Sequence, residues 1–368
     1  MMLKSPLHKI HKNLGAKFTE FAGFEMPIYF SSIKDEHLAV RKSVGLFDVS
    51  HMSNLWVTGI DAEKLITLTT VEDASRIGNN LSQYTAILRE DGTVIDDTIF
   101  MHLGKKYMII PNAGMGEIIT KWMNDKAKDY SLKAKVENVS RDYVILAIQG
   151  PKSQETLQKL TDTDLMSVKF FGCQYIDIVG VNCIISHTGY TGELGFELQI
   201  TPTKKAEKLF SKILEAGKEF NIKPIGIGAR DTLRLEKCFI LAGNEFKGGR
   251  TPLEALMSWT INWDHEFIGK DALIKQREKG DYERLTSMEC IDKGIPRHGS
   301  EIHKDEKKIG VVSSGTLSPC LNKGIAIGYL RPEYREIDNI VDIIIRSKPV
   351  RAKVVKPPFV KKDWAQNH

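Results

Sequence analysis

An Asp-Gly pair, Asp91-Gly92, stands between two apolar runs, residues 84–88 and 94–101. That dipeptide between alternating apolar stretches is a strong short-loop hairpin signal. Gly104-Lys105-Lys106 then turns the chain into Tyr107-Met108-Ile109-Ile110, so a three-stranded antiparallel meander is expected, with a helix from Gly114 to about Trp122 returning across it. Side chains alternate along a strand, which puts Ile95, Asp97, Ile99 and Met101 on one face and Val94, Asp96, Thr98 and Phe100 on the other. Whichever face turns inward carries a carboxylate. Asp97 has the more apolar neighbours and is assigned to the core-facing row. A buried carboxylate must be hydrogen-bonded, paired or raised in pKa, and such groups cluster at functional sites. A structural Asp held by loop amides accounts for the pattern equally well.

Around this hairpin the chain reads as a mixture of separate helices and β-rich units. A basic amphipathic stretch (7–14) precedes a turn-rich segment, Phe21-Ala22-Gly23-Phe24-Glu25-Met26-Pro27. Ile33, His37, Leu38, Val40 and Arg41 recur at helical spacing, with Gly45 where a stop belongs. Strands are expected at 143–148, 175–179, 183–187 and 195–200. Ala206, Leu209, Phe210, Ile213, Leu214 and Phe220 follow the 3.6-residue period of an amphipathic helix, and another helix begins near Ala229-Arg230-Asp231. The charged stretch 278–284, with Gly280, reads as a linker. Short strands beyond it, at 309–312, 325–329, 340–345 and 351–355, suggest a small β-barrel or sandwich. The fold class is α+β.

A length of 368 residues implies two or three packed units. With 42% hydrophobic and 27% charged residues, disorder as the main state is excluded. No apolar run approaches the ~18 residues of a membrane span, and Lys4, His8, Lys9, His11 and Lys12 interrupt any signal-peptide core. The net charge of +5 is too mild for a nucleic-acid binder and favours an acidic partner or an anionic ligand. Cys173, Cys183, Cys238, Cys290 and Cys320 are odd in number and widely spread. They point to unpaired buried thiols in a reducing cytosol, with neither a zinc site nor a disulfide framework.

Motifs for ATP, zinc, NAD and serine-nucleophile chemistry are missing; Gly226-Ile227-Gly228-Ala229-Arg230-Asp231 lacks a third glycine. Two further stretches can carry chemistry. In His187-Thr188-Gly189-Tyr190-Thr191-Gly192-Glu193-Leu194-Gly195-Phe196-Glu197, three glycines permit close backbone approach to a ligand. Glu197, on the polar side of its strand, could bond a flat heterocycle with donor edges; a glycine-rich hairpin with a solvated Glu is the plainer reading. Arg230 and Arg234 lie one helical turn apart. They could hold a carboxylate or a pterin-like ring, or form an intrahelical ladder with Asp231 and Glu236.

Taken in order, these stretches resemble the aminomethyltransferase family, the T-proteins of the glycine cleavage system, within the folate-binding one-carbon proteins. The resemblance runs nearly end to end. It includes Leu14-Gly15-Ala16-Lys17, Phe21 through Pro27, Val40 through Met52, Ile95-Asp96-Asp97, Gln149-Gly150-Pro151, Thr188 through Glu193, Gly228 through Asp231 and Arg234-Leu235-Glu236. Ser258-Trp259, Phe267-Ile268-Gly269-Lys270, Ser314-Gly315, Ser318-Pro319 and Pro358-Phe359-Val360 extend it to the C-terminus.

The resemblance implies a three-domain cloverleaf of antiparallel-sheet domains around a central folate channel. Its parts would be a discontinuous first domain (1–52 plus 139–275), a second (53–138) and a C-terminal β-barrel or jelly-roll-like domain (280–368). It implies release of ammonia from an aminomethyl group on the lipoyl arm of the H-protein, and formation of 5,10-methylenetetrahydrofolate. Asp97 takes the position of the catalytic carboxylate, which would bond or deprotonate a folate nitrogen. Tyr84, Asn112, Tyr190, Glu197 and Arg230 take the pterin-site positions, and no metal is implied. Partners would be the lipoylated H-protein and, indirectly, the P- and L-proteins, in the cytoplasm, with no nucleic acid or membrane. The +5 charge would then suit an acidic lipoyl carrier and the folate glutamate tail. The chain departs from the family at Phe24, Pro111, Phe170 and the basic Lys247–Arg250 loop. A folate-dependent demethylase of a small methylated acid is an alternative. A non-catalytic folate-binding protein of iron–sulfur and tRNA maintenance is disfavoured, because Gly172-Cys173 is followed by Gln174-Tyr175 rather than that group's hallmark.

Overall fold

The structure, a computed structural model, describes residues 2–361; Met1 and the last residues of the expected C-terminal unit, 362–368, lie outside the described residues. The Asp-Gly hairpin forms as expected: Ser82–Leu88 and Val94–Leu103 pair antiparallel, with Ala86 opposite Asp97. Gly92 takes φ +80°, the left-handed conformation the turn requires. Lys106–Ile110 completes the meander, and Leu55–Thr58 and Lys135–Asn138 widen it to five strands. The returning helix spans Gly116–Asp129 and is longer than expected, because Ile119, Met123 and Ala127 carry the buried stripe one turn and more past Trp122.

A second sheet has six strands. Gly45–Asp48 lies in it between Val144–Gln149 and Lys223–Ile225, so segments distant in sequence share one layer. Gly45 therefore begins a strand instead of stopping a helix. A Cβ there would collide with Ile225 and Val40, so close packing explains this glycine. The turn-rich segment is a hairpin as well: Lys17–Phe21 pairs with Phe24–Tyr29 across Ala22 and Gly23, both at positive φ.

At the C-terminal end six strands close into a barrel. Sequence reading found four of them. It missed Glu301–Lys304 and took the start of Arg284–Cys290 for linker. Glu278 and Lys279 belong to the Lys270–Lys279 helix, which ends at Gly280 in the left-handed conformation. The polar residues of Arg284–Cys290 concealed the barrel strand. No helix among the described residues is long and apolar enough to cross a membrane. All five cysteines are free; three are buried, Cys238 is half-buried and Cys320 is exposed, which corrects the expectation of uniform burial.

The Ile227–Glu236 helix ties these parts together. Arg41 donates to Glu236 Oε2 from Nε (3.1 Å) and Nη2 (3.0 Å). Ser318 and the Cys320 amide, at the barrel end, donate to Glu236 Oε1 at 2.6 and 3.0 Å. One buried carboxylate thus joins the N-terminal helix Ile33–Lys42 to the barrel.

Candidate functional site

The sheets and the barrel enclose a cavity of about 1580 Å³. Its wall takes Tyr84, Asp97 and Asn112 from the hairpin sheet and Tyr190 and Glu197 from the six-stranded sheet. Arg230 comes from the Ile227–Glu236 helix, and Arg297 and Thr316 from the barrel. All six residues singled out in the sequence line this one space.

Asp97 sits at the middle of its strand, which holds it rigidly in the wall. The Tyr84 hydroxyl donates to Asp97 Oδ2 at 2.7 Å, and Asn112 Nδ2 donates to Asp97 Oδ1 at 2.9 Å. Both adjacent carboxyls are buried, and Asp96 (0% exposed) more deeply than Asp97 (8%). The assignment of Asp97 to the core-facing row is therefore corrected. Asp97, Ile99 and Met101 of its row line the cavity, while Phe100, in the row of Asp96, packs in the core of the hairpin unit, joined there by Ile95 beyond a register shift. Burial pushes both carboxyls above the usual range, Asp96 to about 8 and Asp97 to about 6. The Asp97 charge raises Asp96 further; bonds from Asn112 work against the rise in both, joined at Asp97 by the bond from Tyr84.

Tyr84 also stacks on Trp259, with ring centroids 5.9 Å apart and planes 23° apart. Trp259 lines the cavity yet is 69% exposed. Nothing in its local sequence, with Leu256, Met257, Ile261 and Trp263 around it, marks it as a cavity residue. Across the cavity the Arg230 guanidinium lies 4.5 Å from the centre of the Tyr190 ring. The Tyr190 hydroxyl donates to the Ile240 carbonyl, so this side chain offers a flat face and no free hydroxyl. Glu197 accepts from Thr188 Oγ1 at 2.6 Å and lies close enough to Arg230 to favour its charge. His51, which also lines the wall, is held neutral: burial lowers its pKa to about 3, helped by the nearby Arg230 charge.

Two readings change here. The glycines of the 187–197 loop were expected to admit a ligand; they do line the cavity, but a Cβ at Gly189 or Gly195 would strike the Gln149 side chain. That amide donates to the Thr188 carbonyl at 3.1 Å and accepts from Thr191 at 2.8 Å, so the glycines make room for a brace inside the protein. Arg234 is not a partner of Arg230 in ligand binding. It is 1% exposed and spends its donors on Asp231 (2.9 Å), the Phe239 carbonyl (3.0 Å), Glu245 (3.3 Å) and Ser314 (2.7 Å). The expected ladder forms with Asp231 only, because Glu236 turns to Arg41 and His37.

A cavity with one oriented carboxylate, flat aromatic faces, and a glutamate beside an arginine can hold a planar heterocycle with donor and acceptor edges and take a proton from it. Comparison with known proteins agrees. Residues 7–265 match the family described as "GCVT N-terminal domain" and 284–361 the "Glycine cleavage T-protein C-terminal barrel domain". The chain is 45% identical to an aminomethyltransferase of Caldanaerobacter subterraneus subsp. tengcongensis, over 98% of this chain and 96% of that one. An aminomethyltransferase of a Thermoanaerobacter species is 42% identical, with 98% of each chain covered. The crystal structure of the glycine cleavage system aminomethyltransferase T from Bartonella henselae superposes with a TM-score of 0.91 at 29% identity, over 98% of each chain. This chain belongs to the aminomethyltransferase family, the T-proteins of the glycine cleavage system, and is an enzyme of the transferase class.

Proposed function

We propose that this transferase takes an aminomethyl group from the lipoyl arm of an H-protein and passes its carbon to tetrahydrofolate in the cavity. The carbon–nitrogen and carbon–sulfur bonds of the aminomethyl group break. Ammonia leaves, the lipoyl thiol is freed, and two new bonds to folate nitrogens give 5,10-methylenetetrahydrofolate. The observation that carries the reading is Asp97, aimed into the cavity between Tyr84 and Asn112.

Tetrahydrofolate supplies the amine nitrogens that accept the carbon. The residues present suit it: Glu197 and Arg230 offer an acceptor and a donor to a pterin edge, and the rings of Tyr190 and Trp259 offer flat faces. Asp97, ionised, accepts a proton from a folate nitrogen. Tyr84 and Asn112 keep its two oxygens in fixed directions, so the group is oriented before the ligand arrives. We extend the proposal to a cytoplasmic enzyme that meets a lipoylated H-protein, with P- and L-proteins acting indirectly. The three units would be 1–52 plus 139–275, 53–138 and 280–368. Gly45–Asp48, placed between strands from after residue 139, supports that division.

Purified enzyme given aminomethylated lipoyl H-protein and tetrahydrofolate should release ammonia and methylenetetrahydrofolate in equal amounts. Product no higher than in the enzyme-free control would overturn the reading. Turnover of a small methylated acid in its place would favour a demethylase.

A further inference from the structure

We infer that Asp96, which points away from the cavity, is a positioning residue for the transfer: acting through the Asn112 amide, it fixes the direction of the Asp97 carboxylate. The inference rests on the function proposed above and adds a residue to it. Adjacent residues on a strand face opposite ways, yet Asp96 and Asp97 share one partner. Asn112 stands just past the Lys106–Ile110 strand, which pairs with theirs. Its backbone N donates to Asp96 Oδ2 at 2.9 Å and its Nδ2 to Asp96 Oδ1 at 2.8 Å. The same Nδ2 reaches Asp97 Oδ1 and the Asp97 carbonyl, both at 2.9 Å.

This arrangement leaves the amide no freedom. Turned over, Asn112 would set its oxygen against three acceptor oxygens, an orientation the chemistry of the groups forbids. Asp96, with no exposed surface, accepts two of the four hydrogen bonds that Asn112 gives to this pair, and the other two fall on Asp97. The consequence is a division between the Asp97 oxygens. Oδ1 is committed to Asn112, while Oδ2, which accepts from the Tyr84 hydroxyl, is the atom left to a ligand.

An amide at position 96 cannot reproduce the clamp. Both Asp96 oxygens accept from N–H groups, so Asp96→Asn must set an NH₂ against a donor. Asn112 then lets go of Asp97 Oδ1, and the bond that favours the Asp97 charge weakens. The titratable groups facing Asp97 are Tyr84 from the neighbouring strand, Tyr190 from the glycine-rich loop, Glu245 from the short Ala242–Glu245 helix, and Asp96 itself. Of the bonds that lower Asp97, those from Tyr84 and Asn112 come from other residues. Losing the second raises Asp97, and the acid limb of activity moves to higher pH.

The test is steady-state kinetics against pH, with aminomethylated H-protein and tetrahydrofolate, for Asp96→Asn, Asn112→Ala, the double variant and Asp97→Asn. Asp96→Asn should lower kcat about 10-fold or more with KM for tetrahydrofolate little changed. Its acid limb should rise by about one pH unit, as expected for losing one bond to a charged group. The double variant should be no worse than Asn112→Ala alone, because the two residues act in series. Should Asp96→Asn fail to fold, Asp96→Ser, which keeps one acceptor, takes its place with the same expectations. An unmoved acid limb, or independent losses that multiply in the double variant, would overturn the role given to Asp96. An Asp97→Asn enzyme with full activity would overturn the proposed function instead, so the two failures are distinguishable.

Discussion

Asp97 carries an energetic burden that its chemistry requires. Burial opposes its charge, and only two hydrogen bonds to the side chain from other residues compensate. In the proposed reaction the ionised form accepts the proton, so kcat/KM should rise with pH through about 6 and level off above it. Asp97→Asn should remove that limb and lower kcat by ~10²–10⁴-fold while tetrahydrofolate still binds, as isothermal titration would show. The same change should stabilise the empty enzyme. A carboxyl whose folded pKa lies above its unfolded value disfavours the folded state once pH exceeds the unfolded pKa. The variant's gain in Tm should therefore be larger at pH 8 than at pH 5, and a gain that does not grow with pH would contradict the burial argument. Alternation along one strand was enough to single out Asp97, because that rule is local. Which row faced the cavity was not legible, since the cavity is made by sheets that the strand's own residues do not describe. Asn112 as a clamp was hidden for the same reason: its contacts cross to another strand.

At the scale of an element, the 187–197 loop shows how composition misleads about purpose. Its glycines are required, but by Gln149, whose side chain fills the space beside Gly189 and Gly195. Gly195→Ala should cost ~1–3 kcal/mol by overpacking, measured by chemical denaturation, and should weaken tetrahydrofolate binding because Gly195 begins the strand that carries Glu197. Shortening Gln149 to Ala in the same protein should return part of that loss; if it does not, the collision is not the cause. Helices and hairpins were mostly legible because their periods and turns are short-range. The hairpin Lys17–Phe21 with Phe24–Tyr29 was seen only as a turn, since Glu20 and Glu25 sit opposite each other and break the expected apolar runs. The first barrel strand was obscured by its polar residues, and its role is set by partners from 323–330 and 348–355.

For the whole molecule, stability depends on a few buried ions on one helix. Arg234 joins its helix to Glu245 and to Ser314 in the barrel. Arg234→Met should cost ~3–5 kcal/mol, because it leaves Glu245 buried without its cation; a change below 1 kcal/mol in denaturant titration would mean that water replaces the pair. Glu236 gives the acid response. Burial would raise its pKa, but His37, Ser318 and Arg41 outweigh burial and hold it at about 2. Its folded pKa lies below the unfolded value of 4.5, so its contribution is complete above pH 4.5 and is lost as pH falls towards 2. His51 adds to this: neutral in the fold down to about pH 3 against 6.5 when unfolded, it favours the unfolded chain as pH falls below 6.5. Between pH 6 and about 4 the protonation of Asp96 and Asp97 works in the opposite direction, so the Glu236 loss should show as a fall in Tm below pH 4.5 that Glu236→Gln flattens. These long-range pairs are beyond sequence reading, which offers Glu236 only a local ladder as one of two alternatives.

The wall of the cavity is assembled from residues as far apart as Thr19 and Pro358. No contiguous piece of the chain contains a complete binding surface, and none should capture tetrahydrofolate alone. Severed at the exposed Gly280-Asp281 bond, between the Lys270–Lys279 helix and the first barrel strand, the two fragments should be inert separately. Mixed, they should reassemble, with the ligand acting as the keystone that draws the halves together.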